Sequence, residues 1–231
     1  MTRSLIRNVE VFEAGACLPM HRHADAYAAL VLDGSYDEFS FDGRFSCRAG
    51  DVVLHPRTHA HGNAFPERSA RVVSIPLPAE LADARGFGVF AASDLDAILR
   101  LAEEDTTRAG LALIEDSGDR AALAPPDWVT AFVADILGGH SVAATARKFR
   151  ISPEHASRTC RSWFGLPPLA LRRESRIRAA IAALRDGVCA SEAAQIAGFA
   201  DQPHMTRVLR SQTGQTPGRI GARPDQIRSR R

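Results

Sequence analysis

The sequence has few of the features that mark disulfide-rich or zinc-finger proteins. It contains four cysteines among 231 residues, and no two of them form a C-x-x-C pair. This scatter argues against a zinc finger and against a disulfide framework. We therefore interpret Cys17, Cys47, Cys160 and Cys189 as small buried hydrophobes, and we keep a thiol-sensing role for Cys17 and Cys47 as the alternative.

Long apolar runs are also missing from the sequence. No window approaches the run of roughly 18 apolar residues that a membrane-spanning helix needs. The first residues include Glu10 and Glu13 but no apolar core, so they do not resemble a secretory signal peptide. We therefore expect a cytoplasmic protein without a membrane partner.

Charged residues are unevenly distributed along the chain. The formal net charge is only +2, which by itself indicates no preference for a polyanion. Residues 127–231 contain 17 Lys and Arg against 8 Asp and Glu, whereas residues 1–126 contain 12 against 19. The two parts are therefore expected to be separate domains with different partners. Lys148 is the only lysine, so the preference for arginine is chain-wide and is not in itself a DNA-binding signal.

A repeat occupies the last third of the sequence. Residues 152–168 recur 49 positions later as residues 201–217. Each copy has a capping residue, about three turns of helix with arginines on one face, and a glycine that ends the helix. Two such basic helices in tandem predict a DNA-binding protein. The equivalent pairs are Ser152 and Asp201, Arg158 and Arg207, Arg161 and Arg210, Ser162 and Ser211, Gly165 and Gly214, and Pro168 and Pro217.

The sequence around the repeat predicts two helix-turn-helix units. An apolar stripe from Trp128 to Leu137 indicates a support helix. The first unit has a helix over 142–149 capped by Ser141, a turn at Arg150-Ile151, and a helix that opens at Ser152-Pro153. The remaining predicted elements are a linking helix over 169–185, a short helix capped by Ser191, a turn at Gly198-Phe199, and a helix from Asp201 to Thr213.

Many residues of this segment belong to one known pattern. The second half contributes Ala194, Gly198 to Gln202, His204, Met205, Arg207, Thr213, Gly214, Thr216 and Pro217, and the first half contributes Ala146, Ser152, Arg158, Gly165, Pro168, Arg176, Ile177 and Ala180. The pattern resembles the signature of the AraC/XylS transcriptional regulators. Cys160 and Leu209 depart from it, because the family usually has an aromatic core residue there. Both are apolar, so we expect looser packing and the same fold.

The resemblance implies that both presented helices enter successive major-groove segments of duplex DNA. Helical projection agrees, because it places a set of polar residues on one face of each helix. Arg158 and Arg207 can bind guanine and Gln202 can bind adenine, each with roughly 1–3 kcal/mol of discrimination. The predicted DNA-contacting residues are Arg147, Glu154, His155, Ser157, Arg158, Arg161, Gln202, His204, Arg207 and Arg210.

The arginines of this set have different expected roles. Arg147, Arg161 and Arg210 are assigned to phosphates, which adds affinity and salt dependence without sequence information. Each arginine could instead lie on a solvated helix face. A further alternative for Arg158 and Arg207 is that they brace the domain through a carboxylate.

The first 80 residues predict a different kind of domain. Short apolar or alternating runs are separated by Gly and Asp turns at Gly15, Asp33-Gly34, Asp42-Gly43 and Gly50-Asp51. Many short strands with such turns indicate a small antiparallel barrel or jelly roll. The predicted strands are Val9 to Phe12, Ala28 to Leu32, Tyr36 to Phe41, Val52 to His55 and Val72 to Pro76.

Two spacings in this region resemble the cupin motifs. The first, Gly15-x5-His21-x-His23-x3-Tyr27-x6-Gly34, has Tyr27 where the cupin motif has glutamate. The second, Gly50-x5-Pro56-x4-His61, has Thr58 in place of a glycine and Asn63 earlier than expected. The resemblance implies a cupin barrel, a domain that commonly precedes this DNA-binding unit. It also implies that the positions of His21, His23, Tyr27 and His61 supply metal ligands in metal-binding members.

This site has two interpretations. The three imidazoles of His21, His23 and His61 would suit a divalent transition metal such as Zn, Fe, Ni or Cu. Alternatively, the histidines line an effector pocket without a metal, because the one anionic ligand of the motif is absent. On either interpretation His21, His23, Tyr27 and His61 form the predicted effector site. His55 and His59 are expected at its rim.

The region between the domains, residues 81–126, predicts two helices. They form either a homodimer interface, as the family resemblance implies, or an intramolecular lid. Pro125-Pro126 then makes a short, stiff linker. The apolar stripes that predict the helices are Leu95, Ile98, Leu99 and Leu101, and Leu111, Leu113 and Ile114.

The sequence therefore predicts a two-domain chain. Its parts are an all-β cupin sensor domain over 1–80, a helical linker over 81–126, an all-α tandem helix-turn-helix domain over 127–222, and a disordered basic tail over 223–231. We interpret the chain as a DNA-binding transcriptional regulator controlled by a ligand in its cupin domain, with RNA polymerase and a second copy as candidate partners.

Two other functions stay open at this point. One is a metal-dependent sensor or metal cupin enzyme fused to a DNA-binding domain. The absence of glutamate at position 27 and of an evident acid–base pair argues against an enzyme. The other is a constitutive DNA-binding protein with an inert barrel.

Overall fold

The computed structural model describes residues 9–115 and 121–222 of the chain. By internal contacts the chain divides into two compact units between Pro125 and Pro126. The basic tail predicted over 223–231 lies outside the described residues. The N-terminal unit is built around a β-sheet, and the C-terminal unit is helical.

The described part of the N-terminal unit contains eight strands, and all of their pairings are antiparallel. The strands enclose buried aromatic and branched side chains such as Tyr36, Phe65 and Val72. The predicted all-β class of this unit is confirmed. The strands are β1 Val9–Phe12, β2 Cys17–Arg22, β3 Tyr27–Ser40, β4 Gly43–Arg48, β5 Asp51–His55, β6 Ala60–Ala64, β7 Ala70–Pro76 and β8 Gly88–Ala91.

The long strand β3 organises the sheet. Its first half pairs with β5 and β7, and its second half, from Ser35, pairs with β4 and β6. β1 extends the sheet beyond β7, β8 extends it beyond β5, and β2 extends it beyond β6. The result is one open eight-stranded sheet with two wings that share β3, as in a jelly-roll-like arrangement.

Asp33-Gly34 lies inside a strand and is not the turn that the sequence predicts. β3 runs through both residues without a break. Gly34 has a φ of +78°, and the register between β3 and β7 shifts between Val31 and Asp33. A Cβ atom on Gly34 would overlap the carbonyl oxygen of Ser69. Glycine is therefore needed for a bulge and a close strand approach, which give the same sequence signal as a turn.

Two helices pack against the sheet, as the apolar stripes predict. They are α2 Leu95–Glu104 and α3 Thr106–Glu115, preceded by a short α1 Ala79–Arg85. Ile98 and Leu113 are buried in a core that also contains Leu30 and Ile75 of the sheet. The region predicted as helical, 81–126, also contains the strand β8, which pairs with β5.

The described part of the C-terminal unit contains seven helices, which confirms its predicted all-α class. Several helix ends differ from the prediction by one residue, and the linking helix, for example, begins at Pro168. Cys189 precedes the short helix that Ser191 was expected to cap. None of the described helices is long and apolar enough to span a membrane. The helices are α4 Asp127–Leu137, α5 Val142–Lys148, α6 Pro153–Phe164, α7 Pro168–Arg185, α8 Ala190–Ile196, α9 Gln202–Thr213 and α10 Pro217–Ile220.

The helix α7 forms the centre of this unit. Ile177, Ile181 and Leu184 of α7 share a buried core with residues of α8, α9 and α10. At its other end, Arg172 donates hydrogen bonds to the carbonyl oxygens of Ile136, at 2.6 Å, and His140. Arg172 therefore adds a hydrogen bond to a carbonyl group in the last turn of α4 and another to the loop that follows this helix.

Candidate DNA-binding surface and candidate effector cavity

The 49-residue repeat of the sequence is reproduced in the hydrogen bonds of α6 and α9. The Ser152 hydroxyl accepts a hydrogen bond from the backbone N–H of His155 at 3.1 Å. The Asp201 carboxylate accepts one from the N–H of His204 at 2.6 Å. Gly165 and Gly214 follow the two helices, and both have a φ of +68°. Each helix therefore has a side-chain cap at its start and a left-handed glycine at its end.

The turns that precede these two helices also correspond. Arg150 and Gly198 both adopt left-handed backbone conformations, with φ of +56° and +70°. In each turn the next N–H bonds back to the carbonyl oxygen of a buried alanine, Ala146 in one and Ala194 in the other. Helix, tight turn and helix therefore occur twice, as a tandem helix-turn-helix fold requires.

Each of the two helices has one buried and one exposed face. Ala156 and Cys160 of α6 and Met205 and Leu209 of α9 are buried, and Val208 is partly buried. Ser157 and His204 are half-buried. The exposed members of the predicted DNA-contacting set are Arg147, Glu154, His155, Arg158, Arg161, Gln202, Arg207 and Arg210.

Some predicted contact residues already have partners inside the unit. The His155 ring stacks on Trp128 at 5.7 Å between centroids, and the His204 ring meets Phe199 edge-on at 5.4 Å. Glu154 lies at the start of α6, where its own backbone N–H and the Ser152 side chain lower the pKa of its carboxyl group. These residues contribute to local structure whether or not they contact DNA.

The arginines of the exposed faces differ in their surroundings. Arg161 donates a hydrogen bond to the Ser157 hydroxyl at 2.7 Å. The charge of Arg158 contributes to the lowered pKa of Glu154, one turn away. Within residues 9–115 and 121–222, no carboxylate forms a salt bridge with Arg207 or Arg210. The internal bracing considered for Arg207 is therefore not seen in the described part of the chain.

In the N-terminal unit, three cross-strand pairs bring polar residues to one cavity. His21 of β2 lies opposite His61 of β6, and Tyr27 of β3 lies opposite His55 of β5. Glu38 of β3 lies opposite Asn63 of β6, and of this pair only Asn63 lines the cavity. The cavity has a volume of about 150 Å³, and its apolar wall includes Phe12, Leu18, Phe65 and Val72.

Hydrogen bonds and ring contacts fix the predicted effector residues. The Tyr27 hydroxyl lies 3.1 Å from Nε2 of His61, and His21 Nδ1 lies 2.8 Å from the Pro19 carbonyl oxygen. His21 must donate from Nδ1 to that carbonyl, because a carbonyl oxygen only accepts. The His21 and His23 rings meet edge-on at 5.0 Å. The structure therefore brings His21, His23, Tyr27 and His61 together, although His23 is exposed.

His55 and His59 are not rim residues, which corrects the sequence-based expectation. His55 is 2% exposed, and its ring lies 4.6 Å from Tyr27 and 4.1 Å from His61. His59 is 9% exposed and stacks on Phe87 at 4.3 Å. Their burial depends on the pairing of distant strands and on Phe87, so local spacing carried no signal of it.

Burial favours the neutral form of three imidazoles in this cluster, those of His23, His55 and His61. Burial and the neighbouring His21 and His59 lower the pKa of His61 to about 2. Burial also lowers the pKa of His55 far below its usual value, and partial burial lowers the pKa of His23. Burial raises the pKa of Glu38, despite a hydrogen bond from Asn63 at 2.5 Å. The described residues that line the cavity include no lysine or arginine.

Two sets of three histidines have the spacing of metal ligands. In each set, one ring nitrogen from every member lies within 4.8 Å of the others. The set His21, His23 and His61 is the one that the cupin-like motif predicts, and its three imidazoles fit a transition metal. Tyr27, which replaces the glutamate of the cupin motif, forms a hydrogen bond with His61. The set His55, His59 and His61 was not anticipated from the sequence.

Comparison with known proteins identifies the helical unit. Residues 145–223 match the family model described as a helix-turn-helix domain. The chain carries an AraC/XylS-type DNA-binding domain. The match begins within α5 and continues past α10, so it includes both presented helices of the AraC/XylS-type domain. The resemblance of this helical segment to the AraC/XylS pattern is confirmed.

Solved structures that resemble the chain do so at low identity. ToxT from Vibrio cholerae with a bound unsaturated fatty acid has 14% identity and a TM-score of 0.40, with 92% of each chain covered. The C-terminal domain of AraT, a response regulator from Geobacillus stearothermophilus, has 18% identity and a TM-score of 0.37 over 42% of this chain and 84% of that one. No curated protein sequence gives a match. The assignment of the AraC/XylS-type domain therefore depends on residues 145–223.

Proposed function

We propose that this chain is a sequence-specific transcriptional regulator in which α6 and α9 both read duplex DNA. The observation that carries the proposal is the repeated, capped helix with exposed arginines at equivalent positions, inside an AraC/XylS-type domain. Two such helices suit two neighbouring segments of the major groove. The limits 1–80, 81–126 and 127–222 for its sensor, linker and DNA-binding parts belong to the same proposal.

The positions of the arginines suggest a division of labour. Arg158 and Arg207 lie in the middle turn of their helices, where a guanidinium group can reach a guanine edge. Gln202, the first residue of α9, lies at the end of the helix that approaches the bases in helix-turn-helix proteins. Arg161 and Arg210 lie about one turn later, which favours phosphate contacts.

The experiment first selects a binding site from random-sequence duplexes and then compares arginine variants of the full chain. Arg158→Ala and Arg207→Ala are expected to weaken binding to the selected site by about 5- to 150-fold, with a small effect on non-specific DNA. Arg161→Ala and Arg210→Ala are expected to weaken binding to the selected site and to non-specific DNA by equal factors. Each should also reduce the slope of log affinity against log salt concentration by about one.

The matched control is Arg100→Ala, because Arg100 is an exposed arginine on α2 of the other unit. It should leave both affinities unchanged. The proposal is wrong if no sequence is enriched, or if Arg158→Ala and Arg207→Ala leave the preference for the selected site intact.

The N-terminal unit is proposed to bind a small effector at His21, His23, Tyr27 and His61. A cavity of about 150 Å³ has the size that holds a molecule such as benzene. Its imidazoles and the phenol of Tyr27 offer hydrogen bonds, and the described residues of its lining include Glu10 but no lysine or arginine, so an uncharged effector is favoured over an acid. The metal set His21, His23 and His61 is the second candidate, because its nitrogens have ligand spacing.

Benzamide and benzoate test this preference, because they have nearly the same shape and differ in charge. Benzamide is expected to raise the melting temperature of the full chain and to change its DNA affinity, with a smaller effect in a Tyr27→Phe variant. Stronger stabilisation by benzoate would contradict the proposed effector class. Contacts with RNA polymerase and the formation of a homodimer stay predictions.

A further inference from the structure

A second histidine cluster lies beside the one that the cupin-like motif predicts. His55 ends β5, His59 lies in the following loop, and His61 belongs to β6. One ring nitrogen of each lies within 4.8 Å of the other two. We propose that His55, His59 and His61 form a binding site for a divalent transition-metal ion that prefers imidazole, such as Zn²⁺ or Co²⁺.

The first argument is that carboxyl groups lie behind two of the three rings. Nε2 of His59 lies 3.1 Å from Oδ2 of Asp42, and Nε2 of His55 lies 3.8 Å from Oε1 of Glu38. Metal-binding histidines usually donate their second N–H to a carboxylate or carbonyl, which fixes the ring and makes the ligating nitrogen more basic. For His59, the contact with Asp42 leaves Nδ1 as the ligating nitrogen. For His55, Nδ1 becomes the ligating nitrogen when Nε2–H closes the 3.8 Å gap to Glu38.

The second argument is that two buried polar atoms lack a hydrogen-bond partner. Among the described residues, Nδ1 of His55 and Oε1 of Glu38 have no hydrogen-bond partner. The two side chains are only 3% and 0% exposed. A buried polar atom without a hydrogen-bond partner destabilises the fold. A metal ion would bind Nδ1 of His55 and place a positive charge close to Glu38.

The third argument concerns His61, which the two histidine sets share. Its Nδ1 has only a long contact, 3.4 Å, with the carbonyl oxygen of His59, whereas its Nε2 bonds to the Tyr27 hydroxyl at 3.1 Å. When Nδ1 binds the metal, the proton resides on Nε2 and is donated to the Tyr27 oxygen. The hydrogen bond between His61 and Tyr27 is therefore kept with its direction reversed, because the phenol oxygen can accept as well as donate.

The cluster needs only a modest contraction to bind an ion. Nitrogens that share one tetrahedral zinc lie about 3.3 Å apart, so the three ring nitrogens that lie within 4.8 Å of one another, one from each histidine, must approach by at most about 1.5 Å. Ring rotations can supply this movement. Phe87 stacks on His59 at 4.3 Å and lies 5.8 Å from His55, so it covers the site with an apolar ring.

The test adds Co²⁺ to the full chain after removal of metals with a chelator, and it follows visible absorption and stoichiometry by equilibrium dialysis. The wild-type chain is expected to bind one Co²⁺ with the intense bands of a four-coordinate site. His55→Gln and His59→Gln should weaken binding more than about 100-fold, and Asp42→Asn should weaken it about 10- to 100-fold.

The matched controls are His21→Gln and His23→Gln, which remove ligands of the motif set alone and should change the affinity less than about threefold. Nitrogen-15 NMR of the histidines in the wild-type chain avoids any folding defect of the variants, because Zn²⁺ should shift the Nδ1 signals of His55 and His59. Loss of binding in the two controls with retention in His55→Gln and His59→Gln would place the ion in the motif set and overturn the proposal. Absence of Co²⁺ binding by the wild-type chain would also overturn it. Neither result depends on DNA binding.

Discussion

At the scale of single residues, Tyr27 determines much of the chemistry of the cavity. It replaces the glutamate of the cupin motif, bonds to His61 and stacks on His55. Burial and the nearby Glu38 raise the pKa of Tyr27 far above its usual value, so its phenol remains protonated. The position of Tyr27 therefore offers a neutral hydrogen-bonding group where a metal cupin would offer a carboxylate, and the carboxyl group in the cavity lining comes from Glu10.

The four cysteines differ in exposure, which corrects the expectation that all are buried. Cys47 and Cys160 are buried, whereas Cys17 and Cys189 are exposed. Burial raises the pKa of Cys160 to about 11. The Ser191 hydroxyl and backbone N–H groups at the start of α8 lower the pKa of Cys189. The thiol-sensing alternative joined Cys17 with Cys47, but the exposed pair is Cys17 and Cys189.

These surroundings predict the order in which iodoacetamide modifies the thiols. Because the thiolate is the reactive form, the lowered pKa of Cys189 gives it a larger reactive fraction near neutral pH. Cys189 should react first, and Cys47 and Cys160 last, in a time course followed by peptide mass spectrometry. Ser191→Ala should slow the modification of Cys189 and leave the modification rate of Cys17 unchanged. Modification of Cys160 as fast as Cys189 would show that the assigned surroundings are wrong.

At the scale of elements, β3 depends on the glycine at its centre. Gly34→Ala requires a left-handed alanine and a collision with the Ser69 carbonyl, so we expect the N-terminal unit to lose about 3 kcal/mol of unfolding free energy or more. Gly50→Ala is the control, because Gly50 also has a positive φ, +90°, but open space around it. It should cost only about 1 kcal/mol.

Hydrogen exchange of peptides from β3 and β7, followed by mass spectrometry, measures both losses in the full chain. If the β3 and β7 amides of the two variants are equally protected from hydrogen exchange, the close approach of Gly34 to Ser69 does not matter for stability.

The predictability of an element depended on where its stabilising interactions lie. α6 and α9 were predicted because capping residues, prolines and terminal glycines act within a few residues. β6, with the sequence Ala-His-Gly-Asn-Ala, has low strand propensity, and its pairing with β2 and β3 holds it in the sheet. β2 and β4 also escaped prediction, and β8 is a four-residue strand inside the region that was predicted as helical. The motif residues His21, His23 and His61 were found from spacing, whereas Glu38, His55 and His59 depend on long-range pairing.

At the scale of the whole molecule, the two units carry opposite charge. Residues 1–126 have 19 acidic against 12 basic residues, and residues 127–231 have 17 basic against 8 acidic. A polyanion is therefore attracted to the AraC/XylS-type domain and not to the β-sheet unit. This separation suits a protein in which one unit binds DNA and the other binds an uncharged effector.

The central claim is that α6 and α9 both bind DNA, and a hydroxyl-radical footprint of the full chain on its selected site tests it most directly. We expect two protected segments on one face of the duplex, about one helical turn, or roughly 10 base pairs, apart. The double variant Arg158→Ala/Arg161→Ala should lose one segment, and Arg207→Ala/Arg210→Ala should lose the other. A single protected segment that is unaffected by one of these double variants would contradict the account.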